Sequence, residues 1–353
     1  MDPKSEISFP VDLIRTVAII LVILLHAATE QHTIVNIMAP GEVTLWFTSD
    51  FYNTLARPCV PLFLMLTGVL LLQPSKVDEP LRVFFKKRWR RIGLPFIFWG
   101  IAYFAWRFFV NGEALTASSI LQGILTGPYL HFWFLYLLVG VYLVTPVFRV
   151  ILKYADRKVL RYFFIVWFVG TGVVPLITLF EPYGLNADVF LITGWVGYFI
   201  LSTFLIEVKV RSSILYVVLF LGYFWTAVGS YLVVYFIGER FSQFFFDSFS
   251  LNVIGASMSL FLILSRVSPQ RIESRFPRVN GLLSVISQNT LPIYLFHVMV
   301  LETLQKGYLG FKISVTSMNP ILEIPLITFI ALFVSLGVIL PLKKVPYLRR
   351  LIG

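Results

Sequence analysis

The sequence has little charge and almost no cysteine. Charged residues make up 13% of its 353 residues, whereas soluble globular domains contain about a quarter. Cys59 is the only cysteine, so no intrachain disulfide can form. The four histidines lack the spacing of a metal site, and no Walker, dinucleotide-binding or GxSxG pattern occurs. These absences exclude an ordinary cytosolic enzyme and a disulfide scaffold, and no metal is expected.

Apolar residues dominate instead. They make up 58% of the chain, and the mean hydropathy is +0.84. A bilayer core of roughly 30 Å requires about 20 apolar residues per helix, and the apolar runs lack the alternation of barrel strands. The sequence therefore predicts an all-α, polytopic membrane helix bundle, in one domain over residues 1–353. The ten predicted transmembrane helices are Phe9–Ala28, Phe51–Leu72, Ile92–Val110, Phe132–Val150, Tyr162–Phe180, Val189–Ile206, Ile214–Ile237, Phe244–Leu264, Leu282–Leu304 and Ile321–Leu342.

The basic residues predict the orientation of this bundle. Of the 29 lysines and arginines, 23 lie near the two termini and in alternate loops, and only three lie in the intervening loops. Because basic residues concentrate on the cytoplasmic side, both termini are predicted to be cytoplasmic. Contact with anionic membrane lipid then explains the net charge of +11. Nucleic acid is not an expected partner.

The first span carries three ionisable side chains, Asp12, Arg15 and His26. Arg15 and His26 are eleven residues apart, which places them within about 20° of one helix face and about 16 Å apart along the axis. Asp12 lies one turn from Arg15, close enough for an ion pair. Charges inside a membrane mark functional sites, and a histidine is suited to general-base chemistry. The alternatives are a neutralised structural pair and an interfacial histidine at the helix end.

Two further arginine sites stand out. Arg57 precedes two prolines that loosen the second span, where it can line a polar cavity or reach the outer headgroups. Before the third span, Arg88 and Arg91 are three residues apart and share a face if the segment is helical. Together with Lys87 they suit phosphate recognition. The alternative for this basic run is a topological anchor.

Aromatic and ionisable side chains also mark spans four and nine. His131 and Trp133 begin the fourth span, and Tyr294 and His297 lie in the ninth, with Glu302 beyond them. His297 and Glu302 are five residues apart, about 140° around a helix, so they do not share a face. For His297, a buried structural histidine is the alternative to a role in a site.

In this order, these motifs resemble the acyltransferase-3 family of bacterial and archaeal membrane O-acyltransferases, in particular its smaller members without an extra extracytoplasmic domain. The similarity extends from about residue 9 to residue 342. The matching segments are Asp12-Leu-Ile-Arg15 with His26, Arg57-Pro-Cys-Val-Pro61-Leu-Phe-Leu-Met-Leu-Thr-Gly68, Arg88–Arg91 followed by Leu94-Pro95-Phe, His131-Phe-Trp133-Phe, and Pro292-Ile-Tyr294-Leu-Phe-His297.

The resemblance implies a cytosolic acyl-CoA, such as acetyl-CoA, as donor substrate rather than as a bound cofactor. It implies a hydroxyl of a cell-surface glycan or lipid-linked sugar as acceptor, and a place in the plasma membrane of a bacterium or archaeon. It further implies that His26 is catalytic, that Arg15 is needed, and that Arg88 and Arg91 serve the acyl-CoA.

The remaining candidates are given supporting roles on this interpretation. Asp12 orients Arg15, while Arg57, His131 and Trp133 lie on the acceptor and oxyanion side. A supporting shell consists of Tyr294, His297 and Glu302. The pantetheine arm is expected to span the distance from Arg15 to His26 through a tunnel.

Another function class stays open at the level of sequence. A proton-coupled transporter or exporter of an acylated glycan or small acid would also use buried acidic, arginine and histidine side chains. A structural scaffold would instead tolerate substitution of both Arg15 and His26. The sequence leaves open the acceptor, the acyl length and whether the chain forms a homo-oligomer.

Overall fold

A computed structural model of the chain describes residues 9–34, 43–178, 194–238, 241, 243–314 and 318–353. All regular secondary structure in these ranges is helical, as predicted. The α-helices are α1 Val11–Ile34, α2 Val43–Ala56, α3 Cys59–Leu71, α4 Leu81–Arg88, α5 Leu94–Phe109, α6 Ala117–Thr126, α7 Trp133–Tyr154, α8 Arg157–Phe168, α9 Val174–Thr178, α10 Gly194–Leu205, α11 Ser212–Phe236, α12 Leu251–Ser265, α13 Pro269–Arg275, α14 Pro277–Gln288, α15 Thr290–Lys306, α16 Pro320–Leu342 and α17 Pro346–Leu351.

The membrane-spanning character of the bundle is confirmed. Within the described ranges, eight helical segments are long and apolar enough to cross a membrane, and a ninth arises if the bent pair α14 and α15 counts as one span. The predicted span 189–206 overlaps α10, an apolar helix of 12 residues, and its first five residues lie outside the described part of the chain. Ten spans and cytoplasmic termini therefore stay predictions.

Helix α1 lies at the centre of the bundle. It packs against α2, α3, α14, α15 and α16, and its apolar side chains Ile14, Ala18, Ile19, Val22 and Ile23 are buried. A helix enclosed in this way can place polar side chains only against neighbouring helices or internal space. Arg15, Thr16 and His26 of α1 are thus held inside the bundle rather than at the lipid.

Two breaks in the helices lie where the sequence has proline. Helix α2 ends at Ala56 and α3 begins at Cys59, so Arg57 lies in the predicted break. The second break is one that the prediction of a straight ninth span missed: α14 and α15 meet at Asn289 with a bend of 80°. Pro292 has no N–H to donate to the carbonyl of residue 288, and irregular backbone at membrane depth is tolerated where it lines a cavity.

A buried ion pair fixes the short segment between α3 and α4. The Nε of Arg149 donates to the carbonyl oxygen of Leu71 at 2.7 Å, at the C-terminus of α3, and its guanidinium lies 3.0 Å from the carboxylate of Glu79. Lys87 pairs with the same carboxylate at 2.7 Å. The side chain of Arg149 is only 3% exposed, so loss of its carboxylate partner would leave a buried charge.

We expect Glu79→Gln to lower the stability of the protein at neutral pH by about 1.5–3 kcal/mol. The hydrogen bonds from Lys87 and Arg149 hold the pKa of Glu79 below its ordinary value. The carboxylate's contribution is therefore fully present above the pKa of an unfolded glutamate, about 4.3, and is lost as the pH falls through the lower folded-state value. Thermal unfolding in detergent between pH 3 and 7 measures both effects.

Glu207→Gln is the matched control. Glu207 also pairs with an arginine, at 3.0 Å, but both side chains are more than half exposed, and such pairs contribute about 0–1 kcal/mol. Equal losses of stability in the two variants would show that the burial of Arg149 does not determine how much Glu79 contributes.

Candidate functional site

A cavity of about 600 Å³ opens between α1, α3, α5, α7, the α14–α15 break and α17. Six arginines line it: Arg15, Arg88, Arg90, Arg91, Arg349 and Arg350. No aspartate or glutamate side chain is among the lining residues, and none of the six arginines forms an ion pair within 4.0 Å in the described part of the chain. The cavity is therefore strongly electropositive and suited to a polyanion.

A turn of π-helix places three of these arginines at the cavity. Helix α4 ends at Arg88, and the π-turn Trp89–Gly93 joins it to α5. Pro95, in the first turn of α5, cannot donate to the carbonyl of Arg91, which removes one α-helical bond at this point. The prediction that Arg88 and Arg91 share a face as i and i+3 of an α-helix is thus wrong in detail. The wider turn nevertheless brings both of them, with Arg90, to the cavity.

Gly93 is required by the way this turn packs. A Cβ at Gly93 would lie 2.4 Å from the ring of Trp89, so Gly93→Ala would push the indole aside. Because Trp89 is exposed and its indole can move, we expect a loss of stability of at most about 1 kcal/mol, together with weaker binding of anions in the arginine cavity. Thermal unfolding and a titration with inorganic pyrophosphate measure the two effects.

Gly100→Ala in α5 is the control for that variant. The nearest atom to its added methyl group would be 3.9 Å away, so alanine is accommodated and its helix propensity stabilises α5 by up to about 1 kcal/mol. If Gly93→Ala has the same stability and the same affinity for pyrophosphate as Gly100→Ala, the packing of Trp89 does not hold the π-turn.

Arg88 is held partly inside the protein. Its Cζ lies 5.5 Å from the ring centroids of both Phe84 and Tyr142. Its Nε is buried and has no hydrogen-bond partner in the structure. A guanidinium that lies between two rings keeps a fixed orientation, and a buried donor without a partner favours an anionic ligand. Arg88 therefore presents a preset donor to the cavity.

Three aromatic side chains close the deep end of the cavity. Phe63, Phe134 and Tyr294 line it, and the ring centroid of Phe134 lies 5.9 Å from that of Phe63 and 5.4 Å from that of Tyr294. We call these three residues the aromatic barrier. His26 is not among the lining residues. This cavity therefore does not extend to His26, and the tunnel predicted from Arg15 to His26 stays a prediction.

Behind the barrier lies a cluster of three histidines from three parts of the fold. The ring centroid of His26 lies 5.2 Å from that of His297 and 6.3 Å from that of His131, and the last two are 5.6 Å apart. Tyr294 contacts both His131 and His297, so it borders the cavity and the cluster at once. In the described residues, no group of histidine, cysteine, aspartate and glutamate is arranged to hold a metal ion.

The hydrogen bonds of the cluster define its chemistry. Nδ1 of His297 lies 2.7 Å from the carbonyl oxygen of Tyr294, and because a carbonyl only accepts, Nδ1 carries the proton and Nε2 keeps the lone pair. The Tyr294 hydroxyl donates to the carbonyl of His131 at 2.5 Å. His131 and His297 are fully buried, whereas His26 is partly exposed. His26 is the member of the cluster that a substrate can reach.

Two residues predicted to act beside the arginines do not line the cavity. Lys87 pairs with Glu79 instead, so its predicted role in donor binding has no support from its position. Asp12 forms no direct ion pair with Arg15 within 4.0 Å, but its charge lies close enough to attract the Arg15 guanidinium. One helical turn brings the two near each other without forcing their ends together, and Arg15 points to the cavity.

Three residues predicted to surround the catalytic histidine have other contacts in the structure. The Cζ of Arg57 lies 4.5 Å from the ring centroid of Phe246. Trp133 packs against Trp195, with ring centroids 5.5 Å apart. Glu302 accepts hydrogen bonds from Trp106 at 2.8 Å and from Lys306. None of these contacts joins the three residues to the histidine cluster.

Several residues of the site were missed by sequence reasoning. Arg349 and Arg350 were assigned to topology alone, yet they line the cavity, as does Arg90 within the basic run Lys86–Arg91, where the sequence left open which pair contacts CoA. So do Gln288 and Thr290, which flank the helix break. The polar run Ser287-Gln-Asn-Thr290 followed by Pro292 is a signal that could have indicated the break. No sequence signal indicates that α17 returns to the cavity.

The match to a known family agrees with this arrangement. The model of a family described as an acyltransferase domain matches residues 10–340, which include α1, both helix breaks and all three clustered histidines. No curated protein and no solved structure gives a significant match. Because the family match covers nearly the whole chain, the resemblance noted from the motifs is confirmed, and the chain belongs to the acyltransferase-3 family of membrane acyltransferases.

Proposed function

We propose that the protein transfers an acyl group, such as acetyl, from cytosolic acyl-CoA to a hydroxyl of a cell-surface glycan or lipid-linked sugar in the plasma membrane. One observation carries this proposal: a cavity is lined by six arginines that form no ion pair with any described residue, and by Tyr294, which contacts two of the three clustered histidines. A polyanion binding site and a candidate base thus lie on either side of one side chain.

The donor fits the cavity by charge and by shape. CoA carries its phosphates at one end and its thioester at the other, joined by a thin pantetheine arm. The phosphates match the unpaired guanidiniums, which bind such groups in a bidentate manner. The apolar walls contributed by Leu66, Leu70 and Leu138 suit the arm, so the thioester would point toward the aromatic barrier.

The chemistry then follows from His26. Its imidazole accepts the proton of the acceptor hydroxyl as the oxygen attacks the thioester carbonyl, which gives a tetrahedral oxyanion. When the carbon–sulfur bond breaks, the acyl group stays on the acceptor oxygen, and the CoA sulfur takes the proton from the imidazolium. This step requires the aromatic barrier to move, because Tyr294 contacts both the cavity and two of the histidines and Phe134 packs on its ring.

The proposal is tested on the full-length protein in lipid nanodiscs. We expect acetyl-CoA to raise the unfolding temperature, because a ligand that binds the folded state stabilises it. Acetyl-pantetheine, which lacks the nucleotide and its phosphates, is the matched control and should have little effect. Labelled acetyl should appear on an extract of membrane glycans or, without acceptor, slowly as free acetate.

The alternative function, a proton-coupled carrier, predicts transport without binding of acetyl-CoA. A protein that takes up an acylated glycan or small acid into vesicles in response to a proton gradient, and that neither binds nor consumes acetyl-CoA, would be a transporter. That result would overturn the proposed function.

A further inference from the structure

The six arginines of the cavity divide into two groups by depth. Arg15 and Arg88 are partly buried, whereas Arg90, Arg91, Arg349 and Arg350 are exposed at the mouth. Two of the exposed arginines belong to α17, which follows the last long helix of the chain. The cavity therefore has two deeper arginines and four at its mouth, of which two come from the π-turn and two from α17.

Helix α17 is fixed against the wall of the cavity. The indole Nε1 of Trp99 donates to the carbonyl oxygen of Ile352 at 3.2 Å, and the side chain of Ile352 is fully buried. A Cβ at Gly353 would lie 3.2 Å from Leu291 and 3.4 Å from Pro95. This anchor holds the backbone that follows α17 against α5 and α15, and so keeps the preceding arginine pair at the mouth.

The spacing of anions along CoA matches this division. The pyrophosphate joins the pantetheine arm to the nucleotide, and the 3′-phosphate on the ribose lies farther from the thioester. With the thioester toward the barrier, the pyrophosphate meets the deeper arginines and the ribose phosphate stays at the mouth. The pair on α17 is exposed at this mouth, on an element separate from the π-turn that carries Arg90 and Arg91.

We propose that Arg349 and Arg350 bind the ribose 3′-phosphate of the donor and thereby select CoA over 3′-dephospho-CoA. The inference rests on the proposed function, because it takes acyl-CoA as the donor. It assigns to α17 a role in substrate selection, where the sequence indicated only a basic tail.

The test compares the dissociation constants of CoA and 3′-dephospho-CoA for the full-length protein in nanodiscs at constant ionic strength. We expect the wild type to bind CoA at least about tenfold more tightly, the effect of losing a charge-assisted contact. In the double variant Arg349→Ala, Arg350→Ala this preference should disappear, because the affinity for CoA falls to that for the dephospho form. The affinity for 3′-dephospho-CoA should change by less than about twofold, since the two sites act independently.

The double variant Arg275→Ala, Arg278→Ala is the control. It removes the same charge from exposed positions that do not line the cavity, in a loop that the sequence places on the same side of the membrane. It should keep the preference for CoA. If the double variant does not fold, the same comparison is made with the single variants Arg349→Gln and Arg350→Gln. Each of these should lose part of the preference for CoA.

Three results would overturn the inference: a wild type that binds both forms equally, a double variant that keeps the preference, or one that weakens both forms by the same factor. In each of these cases acetyl-CoA still binds and the proposed function stands. If the wild type binds no form of CoA and transfers no acetyl group, the proposed function fails as well.

Discussion

His26→Ala is expected to lower acyl transfer by a factor of about 10²–10⁴, the usual contribution of a general base. The affinity for acetyl-CoA should change little, because His26 does not line the arginine cavity. The variant should fold, since the side chain is partly exposed and forms no ion pair in the described residues. Turnover of labelled acetyl-CoA, together with stabilisation by the same ligand, measures the two quantities on one preparation.

His26→Gln separates basicity from hydrogen bonding. Glutamine can still donate and accept hydrogen bonds but cannot take up a proton at neutral pH, so it should be as inactive as alanine. Normal turnover in a folded His26→Ala variant would remove the assignment of the base. Activity in the glutamine variant alone would show that His26 positions a substrate without accepting its proton.

Arg88→Ala is expected to raise the KM for acetyl-CoA by about 10–100-fold, with kcat little changed. The guanidinium is held over Phe84 and Tyr142 with a buried, unpartnered Nε, so a phosphate would gain a charge-assisted hydrogen bond that contributes about 1.5–3 kcal/mol. An interaction made equally with bound donor and transition state changes KM and leaves kcat unaffected. Initial rates over a range of acetyl-CoA concentrations measure both constants.

Arg82→Ala is the control for Arg88. Both residues belong to α4 and both changes remove one positive charge, but Arg82 is exposed and does not line the cavity. Its KM for acetyl-CoA should stay within about twofold of wild type, because exposed charges are screened by salt. An Arg88 variant impaired only in the use of acceptor would argue against a donor site in this cavity.

The helical periodicity of α1 could be predicted from the sequence, and with it the presence of Arg15 and His26 on one central helix. Whether both side chains face one continuous passage could not be predicted, because this depends on rings that α3, α7 and α15 contribute. The histidine cluster could not be predicted either, because it also depends on how helices distant in the chain pack together. His131 and His297 are distant from His26 in the chain. The packing of α1 against α15 brings His297 to His26, and the hydrogen bond from Tyr294 to the carbonyl of His131 holds the third imidazole beside them.

The sequence is equally limited in showing which basic residues face the cavity, and Arg88 and Arg349 are two examples. Both are members of basic clusters that satisfy the positive-inside rule, and composition gives no reason to treat them differently from Lys87 or Arg278. The distinction arises from the π-turn at Trp89–Gly93 and from the anchor of Ile352 on Trp99. A local turn and one long-range hydrogen bond decide which cations face the cavity.

The aromatic barrier also has an electrical consequence. A continuous file of water from the arginine cavity to the far side of the bundle would conduct protons, and each charge that crosses dissipates about 2.3 kcal/mol per 100 mV of membrane potential. The packed, tilted rings of Phe63, Phe134 and Tyr294 would block such a file of water at this depth. For an acyl group to pass, the rings must move apart. The pantetheine arm must then occupy the opening, so that water does not fill it.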